Sequence, residues 1–295
     1  MKIADFPASA ARASVAAALA EDRAADDITT LWSVPAGLIA TAEISTRQPG
    51  VAAGLPVVPE VFAQTDAEVE TLVADGVRLR AGDVLVRLTG SARSLITAER
   101  TVLNFLQRLC GIATVTDGFV QAVDGTPARI LDTRKTAPGL RALDKYAVTA
   151  GGGSNHRLTL AATVLLKENH ITAAGGVTAA INAVWKGMAD SGTSVPIDVE
   201  VQTVAQAREA MEAGAGWLML DNMEVGDIEE VMRMRAGRSG GSEILLEASG
   251  NVTLDRVRAI ADAGVDLISI GALTHSAPAL DLTMLITMDA APCPR

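Results

Sequence analysis

Aromatic residues are scarce in this sequence, and basic residues are outnumbered by acidic ones. One Tyr, four Phe and three Trp make up 3% of the chain, and 25 Lys and Arg stand against 35 Asp and Glu, a formal net charge of −10. Proteins that bind nucleic acid or anionic membranes present basic surfaces, and nucleic-acid binders often add aromatic side chains that stack on bases. The composition argues against both classes of partner. Any anionic ligand must therefore be bound by a local cluster of cations.

Cysteines and long hydrophobic runs are also rare. Cys110 and Cys293 are too few for a disulfide framework and lack metal-ligand spacing, which favours a reducing, cytoplasmic environment. No window approaches the roughly 18 continuous apolar residues of a membrane span. The alanine-rich start resembles a weak signal peptide, but Asp5, Pro7 and Arg12 interrupt it. We therefore predict an amphipathic first helix rather than an export signal.

From about residue 128 onward, short apolar segments alternate with helical ones. Six of them are typical of buried parallel strands, since each is nearly continuously apolar and ends on a polar residue. They are ARILDTRK, TVLLKENH, PIDVEVQT, GWLMLDN, EILLEAS and DLISIGA. Such repeated units demand a parallel sheet with right-handed crossovers, and polar residues after nearly every strand favour a barrel over an open sheet. Because this part has about 150 residues, below the roughly 250 of a full barrel, we expect six or seven strands.

Three helices are predicted between the later strands, because each segment starts with a capping or acidic residue, repeats apolar residues at helical spacing and ends in glycine. They are TVAQAREAMEAGAG, MEVGDIEEVMRMRAG and TLDRVRAIADAGVD. For the first 115 residues we predict an opening helix, three strands and a long helix from Ser94 to Leu109. The strands lie in GLIATAEISTR, GVAAGLPVVPEVF and GDVLVRLTG. We predict an N-terminal mixed domain over 1–115, an α/β barrel over 116–276, and a tail, 277–295, that packs back on the first domain.

Basic residues concentrate between Arg129 and Lys167. This interval contains seven Lys or Arg and two Asp, which leaves the rest of the chain strongly acidic. A salt-bridged surface would account for such an excess, but Arg134, Lys135 and Lys167 follow strand ends, where barrel active sites lie. Converging cations repel one another unless an anion is bound between them. The placement therefore indicates an anion-binding site.

A glycine-rich loop in the same interval carries a histidine and an arginine. In TAGGGSNHR, residues 149–157, three glycines precede His156, one of three histidines in the chain, and Arg157. Glycines let a loop turn sharply and lie close to a ligand or a neighbouring strand. Taken alone, GGG is equally consistent with a flexible linker. The polar NHR that follows favours a binding loop.

Acidic residues and small-residue loops follow the later strands. Glu200 ends PIDVE and Asp221 ends GWLMLD, and each alone is as consistent with a helix cap or a lysine partner as with a site. With the cations, they indicate a site for an anionic ligand and an electron-poor or metal-bound group. The last two strands lead into EASGN and SIGALT. At this position barrels bind phosphate through backbone N–H groups.

These motifs, in this order and spacing, resemble those of the quinolinate phosphoribosyltransferase family, also called nicotinate-nucleotide pyrophosphorylase (carboxylating). They are ERTVLNFLQRLCGIAT, ILDTRKTAPGLRALDKYAV, GGGSNHR, LLKENHI, DVEV, MLDNM, EASGN and ISIGALTHSAP. The resemblance extends from DDITT, at residue 26, to about residue 282. It implies a type II phosphoribosyltransferase of de novo NAD biosynthesis, which makes nicotinate mononucleotide, pyrophosphate and carbon dioxide. The implied fold is an incomplete, seven-stranded parallel α/β barrel plus an N-terminal mixed α+β sandwich, in a homodimer.

The resemblance also implies which residues bind quinolinate, a pyridine with two adjacent carboxylates. Guanidinium groups hold carboxylates bidentately and fix their orientation. The implied quinolinate ligands are Arg100, Thr133, Arg134, His156, Arg157 and Lys167, with Arg100 supplied by the partner subunit.

For phosphoribosyl pyrophosphate, the family implies a second set of residues. These are Lys135, Lys167, Glu200, Asp221, Ser249, Gly250 and Gly271. The first four are the implied catalytic residues, and the two acids are placed at the ribose hydroxyls and at Mg²⁺, directly or through water. As pyrophosphate leaves, fixed carboxylates stabilise the positive charge that develops on the ribose.

Two residues depart from the family pattern, and other functions stay open. Glu168 stands where aspartate is often found, and Asn251 where a second glycine is common.

An aldolase-like barrel could use Lys167 as a Schiff-base amine, although this leaves the arginines and glycine loops unexplained. The remaining alternatives are a paralogue associated with molybdenum transport, which lacks the lysine matching Lys167, and an inactive anion-binding protein.

Overall fold

The computed structural model describes residues 2 to 288, which form two compact units. The first contains the described residues up to Asp117 together with 135–152 and 272–288, and the second contains 118–134 and 153–271. Within the described residues, no helix is both long enough and apolar enough to cross a membrane.

Helices and strands are numbered separately in chain order. The α-helices are α1 (Ala8–Glu21), α2 (Ile28–Ser33), α3 (Val57–Val61), α4 (Ala92–Ala122), α5 (Arg141–Ala150), α6 (Glu168–Ala174), α7 (Val177–Ser191), α8 (Val204–Glu212), α9 (Val225–Ala236), α10 (Leu254–Asp262) and α11 (Ala272–His275). The strands are β1 (Ile39–Thr46), β2 (Gly50–Val51), β3 (Glu68–Thr71), β4 (Arg78–Leu79), β5 (Val84–Ser91), β6 (Arg129–Leu131), β7 (Val164–Leu166), β8 (Ile197–Val201), β9 (Trp217–Asp221), β10 (Leu245–Ser249), β11 (Leu267–Ser269) and β12 (Leu282–Met288). Ala24–Asp26 and Gly241–Glu243 are short 3₁₀-helices.

The second unit is an α/β structure built on a six-stranded parallel sheet. The strand order is β6-β11-β10-β9-β8-β7, and these are the six apolar segments predicted from the sequence. The helices α8, α9 and α10 lie between strands where three helices were predicted, and Thr203 caps α8 by accepting a hydrogen bond from the Gln206 amide. The predicted α/β class and parallel sheet are confirmed.

The sheet has six strands where the family resemblance implies seven. Ser154 forms a single parallel bridge with Leu131 of β6, and its amide donates to the Ile130 carbonyl at 2.8 Å. The next residue along, Asn155, bonds through its side chain to Asp132. The His156 amide donates to the Asp132 carboxylate at 2.8 Å instead of to a backbone carbonyl of β6, so the segment does not continue as a regular strand.

Side-chain alternation divides β8, β9 and β10 into an apolar and a polar face. Successive side chains of a strand point to opposite faces. The polar face contains Asp198, Glu200, Trp217, Asp221, Glu247 and Ser249, and the other contains Val199, Val201, Leu218, Leu220, Leu246 and Ala248, all nearly inaccessible to solvent. This register gathers several charged groups on one side of the sheet.

The first unit contains an antiparallel sheet of order β12-β1-β5-β3 and a two-stranded ribbon of β2 and β4. Every second residue of β1 is buried, as expected for a strand with one face on a core. The predicted tail begins at 277, and its strand β12 pairs along β1 from Thr46↔Leu282 to Ala40↔Met288. The end of that tail, 289–295, with Cys293, lies outside the described residues.

Two predictions for the first unit were wrong in detail. GVAAGLPVVPEVF, residues 50–62, was predicted as a strand, but only Gly50–Val51 is extended and the rest contains α3, because Gly54 turns with φ +83° and Pro56 begins the helix. The long helix was predicted to stop at Leu109. It continues to Ala122 through Gly111, where any side chain would overlap the Pro278 carbonyl.

The compact units also divide the chain differently from the predicted domains. Segment 135–152, placed in the barrel by the prediction, belongs to the first unit. Its helix α5 carries Asp144, which is fully buried and accepts hydrogen bonds at 2.7 and 2.8 Å from Arg108 of α4. A buried carboxylate needs such a partner, so this pair ties α5 to α4.

Candidate active site

Two arginines of the second unit lie close enough for their charges to interact. Burial and the nearby charge of Arg134 lower the pKa of Arg157. The Nη1 of Arg157 donates to the Thr163 carbonyl at 2.7 Å. The Nε of Arg134 is buried, and no residue among those described accepts a hydrogen bond from it. Two repelling guanidinium groups, one with a buried donor to spare, form a site suited to a dianion.

Asp132 fixes the loop that carries the second of these arginines. This carboxylate is fully buried just after β6, and it accepts hydrogen bonds from the Asn155 side chain at 2.6 Å and from the His156 amide at 2.8 Å. The glycines that precede the loop are sterically required, because a Cβ on Gly151 would overlap the Ala113 carbonyl, and Gly152 has φ +84°. The sequence TAGGGSNHR is thus a constrained turn rather than a flexible linker.

His156 occupies a buried pocket formed by two acids and an indole ring. Its Nε2 lies 3.4 Å from Asp198 Oδ2 and 3.5 Å from Glu247 Oε2, and its ring is tilted 30° against that of Trp217 at 5.2 Å. The Nε1 of Trp217 donates to Glu247 Oε2 at 3.0 Å. Both carboxylates are fully buried, and the three side chains offer ligand atoms within 4.8 Å of one another. This is a buried charged cluster inside the second unit.

The charge balance of this cluster favours retention of protons. Burial lowers the pKa of His156, but Asp198 and Glu247 outweigh this effect and raise it to about 9. Burial raises the pKa of Asp198 to about 7, against the opposing effect of His156. The other ring nitrogen, Nδ1, lies 2.7 Å from the Arg157 amide nitrogen and accepts its N–H only when the ring is neutral. Both ring nitrogens of His156 therefore face protein groups.

Lys167 and Glu200 form an ion pair at the end of the sheet. The Nζ of Lys167 lies 2.8 Å from Glu200 Oε2. Lys167 directly follows β7, and Glu200 is the next-to-last residue of β8, which pairs with β7. The Nδ1 of His170 accepts the Lys167 amide N–H at 3.0 Å, which fixes the start of α6. Because Glu200 lies two residues after Asp198 on the same face of β8, this pair and the His156 cluster share one face of the sheet.

The loops after β9 and β10 pack against each other. The amide of Asn222 donates to the Ser249 carbonyl at 2.9 Å, its side chain donates to Asp221 at 3.1 Å, and it accepts from Asn251 at 2.9 Å. Gly250 has φ +89°, and a Cβ there would overlap the Asn222 side chain. Asn251 has φ 45°, a left-handed conformation that asparagine tolerates better than most residues, so the departure from glycine fits the backbone.

The structure brings together most, but not all, of the predicted site residues within one unit. The second unit contains Thr133, Arg134, His156, Arg157, Lys167, Glu200, Asp221, Ser249, Gly250 and Gly271. Arg100 and Lys135 belong to the first unit, where both are exposed. Lys135 accepts a hydrogen bond at its carbonyl from the Thr274 hydroxyl, whereas Arg100 lies on α4 and forms no ion pair with any residue from 2 to 288.

Sequence reasoning missed Asp132, Asp198 and Glu247. All three lie inside segments that were interpreted as continuously apolar strands. A usable signal was present for two of them, because Asp198 precedes Glu200 by two residues and Glu247 precedes Ser249 by two. A spacing of two puts side chains on the same face of a strand, so each acid belongs to the face of a predicted site residue.

Family models match nearly the whole chain. Residues 27–110 match the N-terminal domain of quinolinate phosphoribosyl transferase, and residues 112–285 match its C-terminal domain. A Mycobacterium leprae protein named nicotinate-nucleotide pyrophosphorylase [carboxylating] is 43% identical over 95% of this chain and 98% of its own length. A chloroplastic rice protein of the same name is 42% identical over 95% of this chain and 78% of its own length.

Solved structures of proteins named nicotinate-nucleotide pyrophosphorylase also resemble this chain. The nicotinate-nucleotide pyrophosphorylase from Francisella tularensis superimposes with a TM-score of 0.87 at 36% identity, over 97% of this chain and 99% of that one. A Pyrococcus furiosus structure of the same name, at 18% identity and a TM-score of 0.69, shows the shared fold. By sequence and structure, this chain belongs to the quinolinate phosphoribosyl transferase family.

Proposed function

We propose that this chain transfers the phosphoribosyl group of phosphoribosyl pyrophosphate to quinolinate, with loss of carbon dioxide, and makes nicotinate mononucleotide for NAD biosynthesis. The observation that carries this proposal is the buried Nε of Arg134, which no described residue accepts from, together with the charge of Arg134, which lowers the pKa of Arg157. Quinolinate would supply the two negative charges that the pair lacks. Family membership and relatives named for this reaction support the same activity.

In this proposal the diacid is bound and oriented by Thr133, Arg134, His156, Arg157 and Lys167. The pyridine nitrogen forms a bond to the ribose carbon as the bond from that carbon to pyrophosphate breaks. The ring nitrogen then carries positive charge, which stabilises the electron pair left on the neighbouring ring carbon when the 2-carboxylate departs as carbon dioxide. The ring carbon finally takes up a proton.

Glu200 and Asp221 are the acids that would stabilise positive charge on the ribose. Both belong to the polar face of the sheet, at the ends of β8 and β9, and Lys167 is paired with Glu200 at 2.8 Å. Preorganised carboxylates stabilise a developing cation without reorganisation. Ser249, Gly250 and Gly271, at the ends of the last two strands, would bind phosphate with Lys135.

The donors at this edge of the sheet fit Mg²⁺. Glu200 and Asp221 offer hard carboxylate oxygens on neighbouring strands, the type of ligand that Mg²⁺ prefers, and it usually retains several waters. When bound with phosphoribosyl pyrophosphate, the ion would neutralise charge on the departing pyrophosphate. The two acids would hold it directly or through water.

We further propose an active homodimer in the cytoplasm, with Arg100 completing the neighbouring subunit's site. The exposure of Arg100 is consistent with this role. Helix α2 adds exposed apolar surface at Ile28, Leu31 and Trp32, the last 82% exposed, as expected of a protein interface.

For the details of the fold, we propose that the bridge at Ser154 marks a seventh barrel strand, and that the antiparallel sheet belongs to a sandwich domain.

The activity is tested by incubating the purified protein with quinolinate, phosphoribosyl pyrophosphate and Mg²⁺. Nicotinate mononucleotide, pyrophosphate and carbon dioxide are expected in equal amounts, and EDTA should abolish their formation. Nicotinate should be a poor substitute, because it lacks the second carboxylate. An anion-binding protein without catalytic activity would bind quinolinate but release no pyrophosphate.

A further inference from the structure

The side chain of Asn222 lies between two neighbouring loops of the second unit, those after β9 and β10. Its Nδ2 donates to Asp221 Oδ2 at 3.1 Å, and its Oδ1 accepts from the Nδ2 of Asn251 at 2.9 Å. Its backbone amide donates to the Ser249 carbonyl at 2.9 Å, which holds the two loops together. One carboxamide thus connects the carboxylate at the end of β9 with the loop after β10.

The chemistry of the three side chains fixes the direction of these hydrogen bonds. A carboxylate only accepts hydrogen bonds, so the NH₂ group of Asn222 must face Asp221. The carbonyl oxygen of Asn222 then faces Asn251, which can satisfy it only with its own NH₂ group. Asn251 therefore favours the orientation that turns the NH₂ group of Asn222 to the acid.

The backbone around these side chains suits asparagine and glycine. Asn222 and Asn251 have φ 55° and 45°, in the left-handed region that these two residue types tolerate best. Gly250, with φ +89°, lies against the carboxamide, because a Cβ there would overlap Cγ, Oδ1 and Nδ2 of Asn222. The carboxamide is thus held at both ends by hydrogen bonds and on one face by the loop after β10.

We propose that Asn222 and Asn251 are positioning residues for phosphoribosyl transfer: Asn251 holds the carboxamide of Asn222, and Asn222 orients the carboxylate of Asp221. The inference rests on the proposed function, in which Asp221 acts at the ribose hydroxyls and at Mg²⁺ and the loop after β10 binds phosphate. Among residues 2–288, no other side chain donates a hydrogen bond to Asp221. The direction of that carboxylate therefore depends on the loop that would bind the phosphate.

The first test follows the side-chain amides of the full-length protein by NMR, after labelling with ¹⁵N-asparagine and without substrate. The chain has six asparagines, so substitution of each assigns its NH₂ signals. An N–H that is donated to a carboxylate resonates downfield, and this signal of Asn222 should move upfield in Asp221→Ala and also in Asn251→Gly. Asn155, whose Nδ2 donates to Asp132 at 2.6 Å, is the internal reference and should keep its signals.

A double-mutant cycle tests whether Asn251 acts through Asn222. Glycine is used at both positions because it adopts a left-handed backbone without strain. Asn251→Gly should raise the KM for phosphoribosyl pyrophosphate about three- to tenfold, as expected for one neutral hydrogen bond. Asn222→Gly should raise it about tenfold or more, since the bond it removes is to a carboxylate. The double variant should match Asn222→Gly within about twofold, because the two residues act as one unit. The KM for quinolinate should stay within about twofold in all three variants.

The matched control is Arg23→Gly in the first unit. Arg23 is the other non-glycine residue with a positive φ among residues 2–288, at φ 50°, and it pairs with Asp26 at the surface. This variant also introduces glycine into a left-handed backbone and removes a polar contact. It should change neither KM, and the test variants should shift the melting temperature about as little as it does.

Three results would overturn the inference. One is an Asn222 signal that does not respond to Asp221→Ala. Another is an unchanged KM for phosphoribosyl pyrophosphate in Asn222→Gly, or glycine substitutions whose effects add. The third is an equal rise in the KM of both substrates, or a variant that fails to fold, since either would show a purely structural role. The NMR result needs no substrate. It therefore decides the contact with Asp221 even if the unaltered protein makes no nicotinate mononucleotide, an outcome that would refute the proposed function instead.

Discussion

Arg157 combines three contacts that determine what it can bind. Its Nη1 donates to the Thr163 carbonyl, its amide binds His156, and Arg134 repels its guanidinium. The first contact holds the side chain and the second holds the backbone, and neither neutralises the guanidinium. An arginine fixed in this way retains its charge for a ligand, and its planar fork suits a carboxylate.

We expect Arg157→Lys to impair quinolinate binding far more than folding. The substitution keeps a positive charge and removes the bidentate fork, so the KM for quinolinate should rise by about 10- to 100-fold, whereas the free energy of unfolding should change by less than about 1 kcal/mol. Steady-state kinetics and urea unfolding measure the two effects. Arg258→Lys, at an exposed pair with Asp262, is the control and should change neither. Equal losses of binding and stability would mean that Arg157 is structural.

The cations proposed for the site are easier to identify in the sequence than the buried acids beside them. Arg134 and Lys167 stand out because they follow apolar strands, and Arg157 stands out because it follows the glycines of GGGSNHR. Asp198 and Glu247 lie within the strands, where a single acid looks like an exposed position until the neighbouring strands are aligned. Only the register, in which β10 pairs with β9 and β9 with β8, shows that both face His156. Register depends on contacts between distant segments, which one strand's pattern does not reveal.

Helices and strands were also predicted where local sequence determines them and missed where contacts between distant residues do. The strands of the parallel sheet were predicted because they are largely buried and therefore nearly continuously apolar, apart from the acids of the polar face. The end of α4 was missed, because Gly111 usually signals a helix end and here meets the Pro278 carbonyl, a contact between residues far apart in sequence. Likewise Val57–Val61 consists largely of β-branched residues, yet Pro56 and the turn at Gly54 start a helix.

The paired loops after β9 and β10 give a prediction at this scale. Gly250→Ala adds a Cβ at φ +89° against Asn222, so it should destabilise the protein by about 1–3 kcal/mol and raise the KM for phosphoribosyl pyrophosphate. Gly187→Ala is the matched control. That glycine lies inside α7 with open space around it, so alanine should be neutral or stabilise by up to about 1 kcal/mol. Thermal unfolding and initial rates measure both. A Gly250→Ala protein of unchanged stability would contradict the proposed packing of these loops.

For the whole molecule, the buried histidine links stability to pH. The folded-state pKa of His156 is about 9, above its ordinary value of 6.5. A raised pKa contributes stability that is complete below about pH 6.5 and is lost as the pH rises through about 9. Relative to His156→Gln, the unaltered protein should therefore lose on the order of 1–3 kcal/mol between these values. Urea unfolding of both proteins across this range measures the difference, and a constant difference would show that the ring does not gain a proton on folding.

The proposed homodimer predicts that two inactive variants, Arg100→Ala and Lys167→Ala, restore activity when they are combined in mixed dimers. Arg100→Ala lacks the residue proposed to act on the partner's site, and Lys167→Ala lacks a residue of its own site. If Arg100 acts between subunits, a mixed dimer contains one intact site and one site with both defects. Random reassociation of equal amounts makes half of the dimers mixed, so activity should recover to about a quarter of the unaltered level.

Dissociation and mixing of the purified variants, followed by a pyrophosphate-release assay, measures this recovery. Each variant treated alone is the control and should stay inactive, and mixing without dissociation should restore nothing. If Arg100 acted within its own subunit, every site in the mixture would retain one defect and no activity would return. Recovery therefore depends on which subunit supplies Arg100, so it tests the dimer and the assignment of this residue together.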